Sequence, residues 1–293
     1  MTRNSATIIG FSAVAMWALL ALFTVASAPV PPLMLNAACF AIGGGVGLVW
    51  LLVRGELRLL RGVSFGVYLF GAAGLFGYHF LYFSALRLAP AAEAGLIAYL
   101  WPLLIVLFSG LLPGERLRAG HVVGALMAFA GAALIVSAGI GQLRGAGAGY
   151  ALAFLAAFTW TGYSLISRRL GHVPTAAVTV YCLLAGVMAL VAHLALETPR
   201  WPVSALGWGA VLGLGLGPVG LAFFTWDVGV KRGDIQVLGT ASYAAPLLST
   251  LVLVLVGIAA PTPSLALSAA LITGGAVLAA RAGRRSVRPS KGG

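Results

Sequence analysis

The chain has 293 residues, of which 61% are hydrophobic and only 8% are charged. A soluble domain carries about 25% charged residues, so this composition excludes an ordinary soluble fold and predicts an integral membrane protein. The formal net charge of +12 does not indicate nucleic-acid binding, because the basic residues lie in short loops between apolar runs and in the C-terminal tail, where they act as topology signals and contact anionic lipid head groups.

The first apolar segment follows Arg3 and ends in ASAP, Ala26 to Pro29, which resembles the cleavage site of a signal peptide. Pro29 would then stand directly after the cut, and an internal repeat described below includes this segment. We therefore predict that the segment is a retained first membrane helix.

Ten apolar runs are long enough to cross a bilayer core of about 30 Å as helices, which takes roughly 20 residues each. The sequence therefore predicts an all-α integral membrane protein. In chain order the predicted spans, numbered 1 to 10, are 7–27, 32–53, 64–86, 91–112, 119–138, 148–167, 175–196, 205–229, 235–258 and 264–282.

The basic residues are distributed unevenly between the two sides of these spans. If the N-terminus is cytoplasmic, only Arg87, Arg144 and Arg200 of the 18 Lys and Arg residues lie outside. Cytoplasmic loops carry such an excess of Lys and Arg in membrane proteins. We predict a multi-pass protein of the bacterial inner membrane with both termini in the cytoplasm.

The two halves of the chain contain matching sequences. Identical Gly, Tyr and Pro residues recur at an offset of 144 between AGLIAYLWPLLIVL (94–107) in span 4 and LGTASYAAPLLSTL (238–251) in span 9. Two further identical pairs, at an offset of 143, are Trp17 with Trp160 and Cys39 with Cys182. We predict two five-helix repeats, residues 1–144 and 145–293.

Because five is an odd number, the second repeat would enter the membrane inverted relative to the first. Inverted repeats around a central cavity are typical of secondary transporters. Pro102 and Pro246 would deprive the carbonyls of Ala98 and Ser242 of their helical hydrogen bonds near mid-membrane. We interpret the two prolines as helix breaks that flank a transport cavity and act in gating.

The predicted spans contain little formal charge and many aromatic residues. No Lys or Arg lies at mid-depth, which favours neutral, zwitterionic or largely apolar solutes. Rings, hydroxyl groups and an imidazole could bind an aromatic ring, a carboxylate and an ammonium group, although helix packing is the alternative role for each. The predicted substrate-binding residues are Trp17, Tyr78, His79, Tyr82, Tyr99, Trp101, Trp160, Tyr163, Ser242 and Tyr243.

No motif indicates catalysis, a cofactor or a metal site. GLGPVG (215–220) has the spacing of a dinucleotide-binding loop, but it lies in an apolar span. We interpret it, like Gly43 to Gly47, as a packing face of small residues. A membrane enzyme acting on lipids and a non-transporting receptor or assembly factor are alternatives from other classes, and the sequence contains no cluster of catalytic side chains for the former.

The ten spans, the two halves and the segment APAAEAGLIAYLWPLL (89–104) resemble the drug/metabolite transporter superfamily and its EamA-type members. The aromatic-rich block 78–104 is most similar to the aromatic amino-acid exporters in that superfamily. The resemblance implies a basket-like ten-helix fold and export of phenylalanine, tyrosine, tryptophan and related metabolites by alternating access. By family analogy the cavity would be lined by Tyr78, His79, Tyr82, Tyr99, Trp101 and Ser242.

The substrate and the coupling are less specific than the superfamily. Export of another small neutral metabolite, such as an aliphatic amino acid or a purine, is the alternative. The small multidrug relatives have an acidic residue in their first helix, which span 1 lacks, so facilitated efflux is the simpler expectation. The expected partners are an amino-acid substrate and membrane lipids, with a monomeric protein and no nucleic acid.

Overall fold

The computed structural model describes residues 1–136, 146–257 and 263–284, which form helices and the turns between them. The boundary predicted between the repeats, at 144 and 145, lies outside these residues. The helices are α1 (Arg3–Trp17), α2 (Leu20–Ala26), α3 (Pro32–Arg54), α4 (Phe65–Leu88), α5 (Ala91–Ala98), α6 (Trp101–Ser109), α7 (Ala119–Val136), α8 (Gly147–Arg169), α9 (Ala177–Leu196), α10 (Ala205–Leu216), α11 (Ala222–Arg232), α12 (Ile235–Ala241), α13 (Ala244–Leu255) and α14 (Pro263–Arg284).

Eight helical segments in the described residues are long and apolar enough to cross a membrane, and two shorter apolar segments, Glu93–Ser109 and Ala119–Leu134, accompany them. The chain is therefore an all-helical, multi-pass membrane protein over the described ranges. Each predicted span overlaps one helix or consecutive helices, although the predicted ends at 138 and 258 fall outside the described residues. That all ten segments cross the lipid stays a prediction.

Helices from the two halves of the chain pack against each other. The most extensive contacts join α3 with α9, α7 with α14, α1 with α11, and α4 with α8. Further contacts join α4 with α9, α10 with α3, and α6 with α12. The interior between these helices is where the cavity described below lies.

Several of these contacts depend on glycine. A Cβ atom on Gly124 in α7 would lie 2.5 Å from the carbonyl oxygen of Gly275 in α14, and a Cβ atom on Gly275 would overlap the carbonyl oxygen of Gly124. A Cβ atom on Gly43 would likewise lie 2.6 Å from the Cα atom of Gly220. Small residues allow such close backbone contacts between helices in lipid. The predicted packing role is confirmed for Gly43 and Gly220.

We expect Gly275→Ala to lower the thermal unfolding midpoint of the purified protein, because the new methyl group would collide with backbone atoms that cannot rotate away. Overpacking of this kind typically costs about 1–3 kcal/mol. Gly274→Ala is the matched control, since its Cβ atom would lie 3.5 Å from the terminal methyl group of Met127. Equal midpoints for the two variants in detergent would contradict the close contact between α7 and α14.

The first predicted helix break is present. α5 ends at Ala98 and α6 begins at Trp101, which places Pro102 in the first turn of α6. Proline is tolerated there because the N–H it lacks would have no partner within the helix. The break between α5 and α6 thus follows from the position of Pro102.

The second break separates α12 from α13, with Pro246 in the first turn of α13. The Ser242 carbonyl lacks its usual helical partner at position 246, as predicted, but it is not left without a hydrogen bond. That carbonyl accepts a hydrogen bond from the Ala245 N–H at 3.0 Å. The turn between the helices tightens to pairing over three residues, which avoids the proline nitrogen.

Predicted span 8 is interrupted by a π-helical turn, Gly217–Leu221, between α10 and α11. The carbonyl of Pro218 in this turn accepts a hydrogen bond from the indole nitrogen of Trp17 at 3.0 Å. The corresponding segment in the first half of the chain, α4, is one continuous helix. The π turn therefore brings span 8 into direct contact with the C-terminal end of α1.

Candidate functional site

A cavity of about 300 Å³ lies between helices of both halves of the chain. Its walls come from α1 to α6, α8, α10, the π turn, α11 and α13. This volume is at the lower end of the range of ligand pockets, about 300–1,000 Å³. The cavity is therefore suited to a small molecule.

Seven of the ten predicted substrate-binding residues line the cavity. Both helix breaks contribute to it as well, the first through Ala98 and the second through Ala245 and Ser249. The seven residues are Trp17, Tyr78, His79, Tyr82, Tyr99, Trp101 and Trp160.

The other three predicted residues, Tyr163, Ser242 and Tyr243, are buried between helices and do not line this cavity. Tyr163 stacks on the ring of Phe70, with centroids 5.9 Å apart. The Ser242 hydroxyl donates to the Leu238 carbonyl at 2.8 Å, and the Tyr243 hydroxyl accepts from the Leu103 N–H at 3.0 Å. The hydroxyl groups of Ser242 and Tyr243 thus take part in contacts within and between helices, whereas Tyr163 packs through its ring.

Four tryptophans from four different helices meet at one end of the cavity. We call this set the tryptophan cluster; it consists of Trp17, Trp101, Trp160 and Trp226. Every pair has ring centroids between 5.2 and 6.2 Å apart. Aromatic pairs at such distances stabilise a fixed arrangement beyond the effect of burial alone. Trp17, Trp101 and Trp160 line the cavity and form its aromatic base, and the fully buried Trp226 packs behind them.

The prediction from the sequence missed Trp226. It is fully buried, and its indole nitrogen donates to the Ser164 hydroxyl at 3.1 Å. At the repeat offset of 144, Trp226 is the counterpart of Tyr82, and Phe223 is the counterpart of His79. Extending the repeat alignment from spans 4 and 9 to spans 3 and 8 would have identified both residues.

One wall is formed by α4. The rings of Tyr78 and Tyr82 stack with centroids 6.0 Å apart, and Tyr78 also contacts Trp160 at 5.3 Å. The His79 Nδ1 atom lies 2.7 Å from the Leu75 carbonyl oxygen. Because a carbonyl can only accept, Nδ1 carries a hydrogen, and a neutral ring then leaves Nε2 as an acceptor. His79 is thus both hydrogen-bonded within its helix and part of the wall.

Two buried nitrogen atoms of cavity-lining residues have no hydrogen-bond partner among the described residues: Nδ2 of Asn36 and Nε1 of Trp160. An unpaired buried polar group typically costs about 1–3 kcal/mol. A polar group of a bound molecule could offset that cost. The sequence prediction did not include Asn36, although an amide in an otherwise apolar span was the available signal.

At the end opposite the tryptophan cluster, the cavity reaches the turn between α2 and α3, where Thr24, Val30 and Pro32 line it. The Glu197 carboxylate lies at the same end of the helices. It accepts the backbone N–H groups of Leu33 and Met34, each at 3.1 Å. It also pairs with Arg87 and with Nδ1 of His193. This carboxylate ties α3, α4 and α9 together.

Charged side chains meet at the other end of the helices, on the far side of the tryptophan cluster. We call this set the ionic cluster; it consists of Arg3, Glu115, Arg168 and Asp234. Arg3 lies 3.1 Å from Glu115 and 3.3 Å from Asp234, and Arg168 also pairs with Glu115. Arg168 donates in addition to the Val230 and Gly233 carbonyls. The cluster holds together segments that carry all four cluster tryptophans.

Comparison with known proteins gives a family match over nearly the whole chain. The EamA-like transporter family matches residues 4–137 and, separately, residues 147–281. A relative from Ancylobacter novellus, named aromatic amino acid exporter YddG, is 52% identical over 97% of this chain and 100% of its own length. A relative of the same name from Escherichia coli is 27% identical over 97% of this chain and 100% of its own length.

A third relative with that name, from Salmonella typhimurium, is 27% identical over 85% of this chain and 88% of its own length. A solved crystal structure that is 52% identical in sequence superposes with a TM-score of 0.92, over 97% of this chain and 100% of the solved one. The helical arrangement described above is therefore shared with a solved protein.

Proposed function

Since the chain belongs to the EamA-like transporter family, and is thus a transporter rather than an enzyme, we propose that it exports phenylalanine, tyrosine, tryptophan and related metabolites from the bacterial cell by alternating access. The observation that carries this proposal is a central cavity lined by three tryptophans, with Trp226 packed behind them, and by a wall of stacked tyrosines. The names of three relatives support the same class of substrate.

The proposed architecture is ten membrane spans in two inverted repeats, 1–144 and 145–293. The packing supports it, because exchanging the halves maps the four most extensive helix pairs either onto another contacting pair or onto themselves. The pair α1–α11 maps onto α8–α4, and α4–α9 maps onto α10–α3, whereas α3–α9 and α7–α14 map onto themselves. The two separate family matches fall within the two proposed repeats. Halves related in this way can exchange conformations and open one site to either side in turn.

The proposed orientation has both termini in the cytoplasm. Residues from four segments predicted to be cytoplasmic meet in the ionic cluster, whereas Arg87 and Glu197, predicted to be outside, pair with each other. In this orientation the cavity extends toward the outside, where Val30 and Pro32 line it, and we propose that the tryptophan and ionic clusters separate it from the cytoplasm.

In the proposed site the seven cavity-lining residues named above contact the substrate. Their rings provide flat apolar surfaces, and the described residues that line the cavity include no Lys, Arg, Asp or Glu. An amino acid is a zwitterion with no net charge, so it can enter without a counter-ion. We propose facilitated efflux along the concentration gradient, by a monomer.

The test is uptake of labelled tryptophan, phenylalanine and tyrosine into proteoliposomes that contain the purified protein. We expect flux well above that of empty vesicles, and weak competition by leucine and adenine. Tyr99→Ala should lower tryptophan flux roughly tenfold, since it removes a ring from the wall. Tyr68→Ala removes a tyrosine of α4 that is not part of the lining and serves as the matched control.

Flux of leucine or adenine without flux of the aromatic amino acids would overturn the proposed substrate and leave the transporter class intact. Equal loss of flux in both tyrosine variants, with both folded, would overturn the proposed role of the wall.

A further inference from the structure

Among the described residues that line the cavity, Asn36 is the one with an amide side chain. Its side chain lies on α3, one turn after Pro32, and the residue is 5% exposed. The Nδ2 atom has no hydrogen-bond partner among the described residues. A donor in this state is available to a molecule bound in the cavity, and a bound acceptor would remove the cost of its burial.

The backbone N–H groups in the first turn of α3 are not available as donors to a molecule in the cavity. Pro32 has no N–H group, and the N–H groups of Leu33 and Met34 are bound by the Glu197 carboxylate. The Leu35 N–H donates to the Pro31 carbonyl at 2.8 Å. The first turn of α3 is therefore fully used, and the Asn36 amide is the donor that this helix end presents to the cavity.

The cavity thus has two chemically different ends. The tryptophan cluster forms an aromatic base, whereas Asn36 lies near the α2–α3 end, where Thr24 and Pro32 also line the cavity. An aromatic amino acid has the same division, with a ring at one end and a carboxylate and an ammonium group at the other.

We propose that Asn36 binds the carboxylate of the transported amino acid and so orients the ring toward the tryptophan cluster. This role rests on the proposed function. The Nδ2–H group donates to a carboxylate oxygen, which makes a charge-assisted hydrogen bond. Asn36 is then a specificity-determining residue that separates aromatic amino acids from aromatic amines of the same size.

The test is calorimetric binding of tryptophan, tryptamine and indole-3-propionate to the purified full-length protein. Tryptamine lacks the carboxylate, and indole-3-propionate keeps the carboxylate and lacks the ammonium group. In Asn36→Leu, which keeps the side-chain volume, affinity for tryptophan and indole-3-propionate should fall about tenfold, as expected for one lost hydrogen bond to a charged group. Affinity for tryptamine should stay within about twofold, since no carboxylate contact is lost.

Asn36→Asp is the second variant, and it should bind tryptamine more tightly than tryptophan. A carboxylate side chain repels the carboxylate of tryptophan and attracts the ammonium group of tryptamine. Gln236→Met is the matched control: the Gln236 amide nitrogen is also buried without a partner, but Gln236 does not line the cavity. Its ratio of tryptophan to tryptamine affinity should equal that of the unmodified protein.

The outcomes separate the two proposals. Suppose that the unmodified protein binds tryptophan, and that both folded Asn36 variants keep its ratio of tryptophan to tryptamine affinity. The proposed role of Asn36 is then wrong, and the proposed substrate stands. If the folded unmodified protein binds none of the three ligands, the proposed substrate class is wrong, and the role of Asn36 falls with it.

Discussion

Asp227→Asn is expected to lower the thermal unfolding midpoint of the purified protein by several degrees. The Asp227 carboxylate is fully buried in α11, 2.8 Å from the Lys231 ammonium group, and it accepts the Thr175 hydroxyl at 2.7 Å. Lys231 is itself buried and donates to the Val173 carbonyl at 3.0 Å. Removing one partner of a buried ion pair leaves an uncompensated charge, at a cost of about 3–5 kcal/mol.

The double variant Asp227→Asn/Lys231→Met is the control for this prediction. It removes both charges and keeps the side-chain volumes, so most of the lost stability should return. The measurement compares the thermal unfolding midpoints of Asp227→Asn, Lys231→Met and the double variant in detergent, with unfolding monitored by size-exclusion chromatography. Strictly additive losses in the double variant would contradict an interaction between the two charges.

Glu115→Gln is expected to open the cavity toward the side of the ionic cluster. Glu115 binds both Arg3 and Arg168, and its side chain is only 6% exposed. In the proposed orientation, alternating access requires these contacts to break when the protein opens toward the cytoplasm. Losing a hydrogen bond between charged groups costs about 1.5–3 kcal/mol, which corresponds to an increase of about tenfold or more in the population of that open state.

Cysteine labelling measures this change. Ser164 is fully buried on α8, one turn from Trp160 toward the ionic cluster. In a background with Cys39 and Cys182 replaced, Ser164→Cys should react with a soluble maleimide about tenfold faster when Glu115→Gln is present, in line with the population estimate above.

Glu56→Gln is the control for the labelling experiment, because Glu56 lies in the loop after α3 and outside the ionic cluster. It should leave the labelling rate unchanged. A rate that is equal in the Glu115 and Glu56 variants would show that the ionic cluster does not hold this end closed.

The positions of the helices could be predicted from the sequence with good accuracy. The third predicted span, 64–86, is α4 at Phe65–Leu88, and the ninth, 235–258, begins with α12 at Ile235. Apolar runs bounded by charged residues, Gly and Pro mark the ends of membrane helices because the bilayer sets their length. The breaks at Pro102 and Pro246 follow from the missing N–H group of proline.

The faces of these helices could not be predicted in the same way. A membrane helix is apolar all round, so the periodicity that marks the buried face of a helix in water is absent. Tyr99 and Tyr243 occupy matching positions in the two repeats, yet Tyr99 lines the cavity and Tyr243 bonds to the backbone of α6. Similarity between repeats indicates a shared fold, whereas the role of each side chain depends on the neighbours it meets.

The π turn has a kinetic consequence for the proposed carrier. It inserts an extra residue into the helix formed by α10 and α11, while the matching helix α4 has no such insertion. The inward-facing and outward-facing forms therefore cannot be related by an exact two-fold rotation, and the substrate meets different surroundings in each. An uncoupled carrier must have the same Vmax/KM in both directions, since equal concentrations produce no net flux. KM and Vmax can therefore each differ between efflux and uptake, but both must differ by the same factor.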